Sequence, residues 1–193
     1  MIGLGRMGAN MVRRLMRFGH ECVVFDMNPE SVQRLVAEGA LGAASLDEFT
    51  GKLFRLRSTW IMVPAGEPTE HAVNDPAARL EAGDAIIDGY SYYKDDVQRA
   101  RTVKSKGIDY VDAGTSGSVW GLERGYCSMI GGPAEVVARL DPIFKALATG
   151  PGSIAPTPGR EKRKSRQEDT FGEKVLSAMR NKFGGHFERP SGG

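Results

Sequence analysis

Three glycines near the start of the chain, Gly3, Gly5 and Gly8, stand in Gly-x-Gly-x-x-Gly spacing, and an acid, Asp26, follows 18 residues after the last of them. Residues of these types in this order suit the binding of a dinucleotide by backbone groups. Gly3 would permit a tight turn, Gly5 would let backbone approach a pyrophosphate, and Gly8 would let a helix pack close to its strand. The start of that helix would offer N–H groups and the positive end of its dipole to phosphates. A carboxylate at Asp26 would hydrogen-bond the ribose hydroxyls of NAD and repel the 2′-phosphate of NADP, so NAD is the expected cofactor and NADP the less favoured one.

The spacing needs a strand before it and a helix after it, because glycine-rich turns are common. Met1-Ile2 reads as the end of a strand, although it leaves a central strand very short. The segment from Ala9 to Phe18 places Met11, Val12, Leu15, Met16 and Phe18 at helical spacing before Gly19. Cys22-Val23-Val24-Phe25 is a buried strand run that closes on Asp26. An ordinary strand–helix–strand unit with incidental glycines is the alternative, and the βαβ setting argues against it.

The alternation continues. Asn28-Pro29 starts a second helix, Ala40 to Ala44 is a short linking strand at best, and Ser45 is a plausible cap for a helical turn. Ser58 to Val63 is an apolar strand whose carboxyl end, Val63, Pro64, Ala65 and Gly66, falls where doubly wound sheets bind ligands. A helix from about Pro68 to Leu80 follows, weakened by Pro76 in its middle. Asp84 to Asp88 is a buried strand, Lys94 to Lys106 a charged surface helix, and Ile108 to Ala113 the next strand. Gly114 to Gly121 reads as a loop rich in backbone and hydroxyl donors, able to cradle an anion or simply to turn. Tyr126 to Ile130 returns as a strand, and Pro133 to Leu147 is a helix. The expected architecture is α/β, a Rossmann-type doubly wound and mostly parallel sheet over residues 1–149. Residues 150–169 read as a linker, and residues 170–193 as a remnant with one amphipathic helix carrying Phe171, Val175, Leu176, Met179 and Phe183.

Composition excludes several classes. A chain of 193 residues with 40% hydrophobic and 26% charged residues suits a globular core. No apolar run approaches the ~20 residues that cross a bilayer, so no membrane association is expected, and no leader peptide is expected either. The two cysteines, Cys22 and Cys127, read as buried thiols of a reducing cytoplasm. His20, His71 and His186 show no ligand spacing, so no metal is expected. The net charge of +2 divides into +4 over residues 160–193 and −2 before them. No aromatic residue interleaves with the basic run Arg160 to Arg166, which reads as a solvated linker and not as a nucleic-acid site.

The chain resembles the β-hydroxyacid dehydrogenases, and within them the short bacterial form of 6-phosphogluconate dehydrogenase (decarboxylating). The matching stretches run from MIGLGRMGANMVRRLMRFGHECVVFDMNP through IMVPAGEPTE, IIDGYSYYKDD and YVDAGTSGSVWGLERGYCSMIGG to LDPIFKALA and GSIAPTPGREKR, which spans residues 1 to about 163. The resemblance implies oxidation of 6-phosphogluconate by NAD(P), with loss of CO₂ to give ribulose 5-phosphate in the pentose phosphate pathway. It implies that Gly3, Leu4, Gly5, Arg6, Met7 and Gly8 hold the pyrophosphate, and that Asp26 takes the adenosine ribose. Val63, Pro64, Ala65 and Gly66 would line the nicotinamide side. Ser116, Gly117 and Ser118 would bind the sugar acid, with serine standing where the family has its last glycine.

Departures bear on activity. The family's Asp-Gly-Gly-Asn-Ser-Tyr-Tyr is one residue shorter here, Asp88-Gly89-Tyr90-Ser91-Tyr92-Tyr93, and lacks the asparagine. The family's helical domain carries a lysine base and a glutamate–tyrosine pair that the resemblance does not find here; Arg189 falls at the lysine position. No catalytic residue is therefore assigned, and this chain is expected to be catalytically incomplete. Another β-hydroxyacid dehydrogenase and a non-catalytic nucleotide-binding fragment are the alternative readings. A homodimer is compatible with the resemblance, and the cytoplasm is the expected compartment.

Overall fold

Residues 1–64, 67–89, 93–117 and 120–150 are described in the computed structural model of the chain, those at 67–71 and 93–98 by backbone alone. The expected linker beyond Gly150 and the expected helix at 170–193 lie outside the described residues, as do Ala65, Gly66 and Ser118.

Helix α1 (Arg6–Arg17) follows the glycine turn. Strand β1 (Val23–Val24), helix α2 (Pro29–Ala37), strand β2 (Leu41–Gly42) and helix α3 (Leu46–Gly51) come next. Strand β3 (Ser58–Ile61) and helix α4 (Glu67–Ala77) lead to strand β4 (Ala85–Asp88) and helix α5 (Tyr93–Lys104). Strand β5 (Asp109–Ser116), the short helix α6 (Gly121–Arg124), strand β6 (Cys127–Gly131) and helix α7 (Ala134–Leu147) complete it.

Ile2 is the hinge of the sheet. It bridges Phe25 on one side and Ile61 on the other, both in parallel sense. Its N–H donates to the Trp60 carbonyl at 2.8 Å and its own carbonyl accepts from Met62 N–H at 2.8 Å. The spatial order is therefore β2, β1, Ile2, β3, β4, β5, β6, with only β6 antiparallel to its neighbour. Strand residues alternate between faces. Ala85 and Ile87 join the cluster of Met11, Val12, Leu15, Leu140 and Leu147 from α1 and α7. Ile86 points the other way, to Val73 and Val103 of α4 and α5. The sheet is thus covered on both faces, as a parallel sheet requires.

Local signals explain the ends of several elements. Asn28 Oδ1 accepts the Glu30 N–H and caps α2, whose first residue is Pro29. Ser45 Oγ accepts the Glu48 N–H, while Glu48 Oε2 accepts from Ala44 N–H, so two donors at the start of α3 are satisfied reciprocally. Pro76 lies one residue before the end of α4, not in its middle, so the intrahelical bond that it cannot donate is lost from the last turn.

Two expectations are corrected. Gly114, Thr115 and Ser116 are not loop: they extend β5 and pair with Met129, Ser128 and Cys127 of β6. Small residues prefer turns in isolation, but an antiparallel neighbour supplies the ladder bonds that keep them extended. The cysteines are not both buried. Cys22 is half-buried and Cys127 is exposed on β6, the edge strand, whose alternate residues face outwards. Burial pushes the Cys22 thiol above its usual pKa.

Candidate functional site

The site is assembled at the carboxyl ends of the parallel strands, where open α/β sheets bind ligands. Each glycine of the turn answers to a different constraint. Gly3 has φ +89°, and a β-carbon there would lie 2.5 Å from the Met62 carbonyl oxygen and 2.9 Å from Val63 Cγ1. A β-carbon on Gly8 would overlap the carbonyl oxygen of Gly3. Gly3 and Gly8 are thus demanded by the protein's own packing. Gly5 is different: its φ is −58° and a β-carbon would meet nothing within 4 Å. Nothing inside the described protein explains a glycine at position 5. The space above it is free for a ligand that comes close to backbone.

Gly5 is also the N-cap of α1, with no side chain capping it and no acid in the first turn. Ala9 N–H is the first to bond back into the helix, to the Gly5 carbonyl at 2.9 Å. The first-turn donors and the helix dipole therefore face outwards, an anion-binding arrangement. α1 is held in place by Met11, Val12 and Leu15, all buried.

Asp26 lies against the same turn. Its Oδ2 accepts the Leu4 N–H at 2.6 Å and its Oδ1 accepts the Asn28 N–H at 2.8 Å. Val63 reaches the turn from the far side, beside Gly3, and Pro64 is exposed next to it. The structure therefore brings Gly3 to Gly8, Asp26 and Val63 together. Ser116 closes β5, two strands along from β3 at the same end of the sheet. Gly117 follows with no room for a side chain, since a β-carbon would lie 2.6 Å from the Tyr126 ring.

Sequence reasoning missed Arg14, which sits on the inner side of α1 at 8% exposure. Its Nε donates to Ala146 O at 2.8 Å, Nη2 to Ala148 O at 2.9 Å and Nη1 to Leu122 O at 3.2 Å. It ties α1 to the end of α7 and to α6, which follows the Ser116 segment. A signal existed in the chain, because Arg14 falls three residues after Met11 and one before Leu15 on an otherwise apolar face. Its carbonyl partners could not be read there. The cluster Asp88, Arg99 and Tyr110 was missed as well: Tyr110 Oη donates to Asp88 Oδ2 at 2.7 Å, and Arg99 pairs with the same oxygen at 3.5 Å, all buried. It underpins the end of β4, just before the Tyr90–Tyr92 segment.

Among the described residues no group of three His, Cys, Asp or Glu could hold a metal ion, and no helix is long and apolar enough to cross a membrane.

The parallel sheet, the glycine turn into α1 and the acid after β1 define a Rossmann-type NAD(P)-binding domain. The chain belongs to the family described as the NAD binding domain of 6-phosphogluconate dehydrogenase, whose model matches residues 1–157. A 6-phosphogluconate dehydrogenase of Haloferax volcanii, named NAD(+)-dependent and decarboxylating, is 38% identical over 151 residues, covering 78% of this chain and 50% of its own. A Bacillus subtilis relative is 39% identical over 155 residues, covering 80% of this chain and 52% of its own. The chain thus spans about half the length of the curated relatives it matches. Among solved structures, 3-hydroxyisobutyrate dehydrogenase of Salmonella typhimurium superposes with TM-score 0.70 at 27% identity, over 93% of this chain and 64% of that one. The family is one of NAD(P)-dependent oxidoreductases.

Proposed function

We propose that residues 1–149 form the cofactor-binding half of a 6-phosphogluconate dehydrogenase. The observation that carries this is the open space above Gly5, in a turn whose other two glycines are required by packing. The pyrophosphate would lie there, on Gly3, Leu4, Gly5, Arg6, Met7 and Gly8, facing amides at the start of α1 that bond to no described residue. Asp26 would take the adenosine ribose, since each of its oxygens retains a lone pair beyond its backbone bond. Val63, Pro64, Ala65 and Gly66 would bound the nicotinamide side, and Ser116, Gly117 and Ser118 would meet the sugar acid.

NAD is the preferred cofactor in this reading, because a 2′-phosphate would bring negative charge against Asp26. The nicotinamide, when bound, accepts a hydride from the substrate carbon that bears the hydroxyl. This chain's own residues bind and orient; they do not supply the base. Arg189, at the family's lysine position, stays protonated at neutral pH and cannot take the hydroxyl proton. The name of the Haloferax volcanii relative supports both the substrate and the cofactor. A homodimer in the cytoplasm agrees with this reading. The domain division proposed is 1–149 for the cofactor unit, 150–169 for a linker and 170–193 for a segment with one amphipathic helix.

Calorimetric titration of the 193-residue chain with NAD and NADP tests the proposal. NAD binding at least about tenfold tighter than NADP is expected, equivalent to ~1.4 kcal/mol. Binding of neither cofactor overturns the reading.

A further inference from the structure

Asp26 does more in this fold than face a ribose. Its carboxylate is already committed twice to backbone, at 2.6 Å to Leu4 N–H and at 2.8 Å to Asn28 N–H. Leu4 lies between Gly3, with φ +89°, and Gly5, the N-cap of α1. Asn28 in turn caps α2, its side chain accepting from Glu30 N–H at 3.0 Å. One carboxylate therefore joins the turn that enters α1 to the turn that enters α2.

We propose that Asp26 is a positioning residue for the pyrophosphate turn as well as the acid beside the ribose, so that one carboxylate couples the two subsites. The proposal rests on the reading of this region as the cofactor site. An ionised carboxylate accepts at both oxygens, whereas an amide accepts at one atom and donates at the other. With asparagine at position 26, an NH₂ group must face either Leu4 N–H or Asn28 N–H, donor against donor. A serine is too short to bridge both. Replacing the acid therefore loosens the glycine turn, and the loss extends to ligands that make no ribose contact. Exchanging the acid alone would weaken NAD and NADP together instead of converting one preference into the other.

The test compares ADP with 2′,3′-dideoxy-ADP, which keeps adenine and diphosphate but has no ribose hydroxyls. A residue that acts only on the hydroxyls cannot influence the dideoxy ligand. Asp26→Asn is expected to weaken dideoxy-ADP tenfold or more; affinity within twofold of the unmodified chain overturns the proposal. A second measurement needs no variant and decides the matter if Asp26→Asn does not fold. In native-state amide hydrogen exchange of the unmodified chain, the Leu4 and Asn28 N–H groups are expected to be protected and to open with the same free energy, as donors held by one carboxylate. Absent protection, or opening of one without the other, overturns the coupling. If the chain binds neither ADP nor NAD, the functional reading fails, and the exchange still reports whether Asp26 holds the two turns.

Discussion

The Nε–H of Arg14 donates to the carbonyl oxygen of Ala146 at 2.8 Å, a buried hydrogen bond between residues 132 apart in sequence. With its other two donors on Ala148 and on Leu122 of α6, this guanidinium gives partners to two carbonyls at the carboxyl end of α7, Ala146 and Ala148, that no further helical turn could satisfy. Removing it leaves those groups unpaired, which is where most of the cost lies. Arg14→Met is expected to lower stability by about 3 kcal/mol in urea unfolding. Arg14→Lys should recover part of that, since one ammonium cannot span three carbonyls at fixed fork geometry. A loss below about 0.5 kcal/mol, the usual scale of surface substitutions, would show that water replaces the guanidinium.

The glycines of the turn should separate in a mutational pair. Gly5→Ala meets open space and loses only a favourable N-cap residue, so its melting temperature should fall by no more than about 4 °C while NAD binding falls by more than tenfold. Gly8→Ala places a methyl against the Gly3 carbonyl and should cost about 2 kcal/mol or more of stability. Unchanged NAD affinity in Gly5→Ala would leave the open space without a ligand.

Acid stability is expected to depend on Asp84, which is 2% exposed. Burial by itself would raise its pKa, but the Glu81 and Arg57 backbone N–H groups and the Arg57 guanidinium outweigh that and hold it below the usual carboxylate range. Its unfolded value is about 3.9, so the folded form binds its proton less readily. The stabilisation is complete above that pH and is lost as pH falls through the lower folded value. Asp84→Asn should flatten the fall in melting temperature below about pH 4. An acid transition identical in the variant would assign it to other carboxylates.

The 193-residue polypeptide by itself is not expected to form NADH from 6-phosphogluconate at a useful rate. A general base contributes about 10²- to 10⁴-fold, and Arg189 cannot act as one. The assay uses saturating 6-phosphogluconate and NAD, with a full-length relative as positive control and 3-hydroxyisobutyrate as the competing substrate. Turnover of 6-phosphogluconate within tenfold of the control would reveal a base elsewhere in the chain. Turnover of 3-hydroxyisobutyrate instead would reassign the substrate class.

What the sequence determined by itself is whatever depends on a few neighbouring residues. The glycine spacing from Gly3 to Gly8, the caps at Asn28 and Ser45, and the apolar runs of β3 and β4 are local, since turn, cap and strand preferences act within one or two turns of chain. Asp26 was legible as the acid after the strand, because the βαβ unit sets its distance from the glycines. The tertiary structure decided the rest, through contacts between segments far apart in the chain. It put Gly114 to Ser116 into a strand because β6 returned beside them, and it exposed Cys127 because that strand became the edge. It buried Arg14 because α6 and α7 brought three carbonyls to it. It closed Asp26 onto Leu4, so an acid legible only as the residue after the strand also accepts a backbone N–H of the glycine turn. Such pairings are invisible in local spacing: the hydrogen-bond acceptor or donor that makes each residue stable where it lies comes from another part of the sheet.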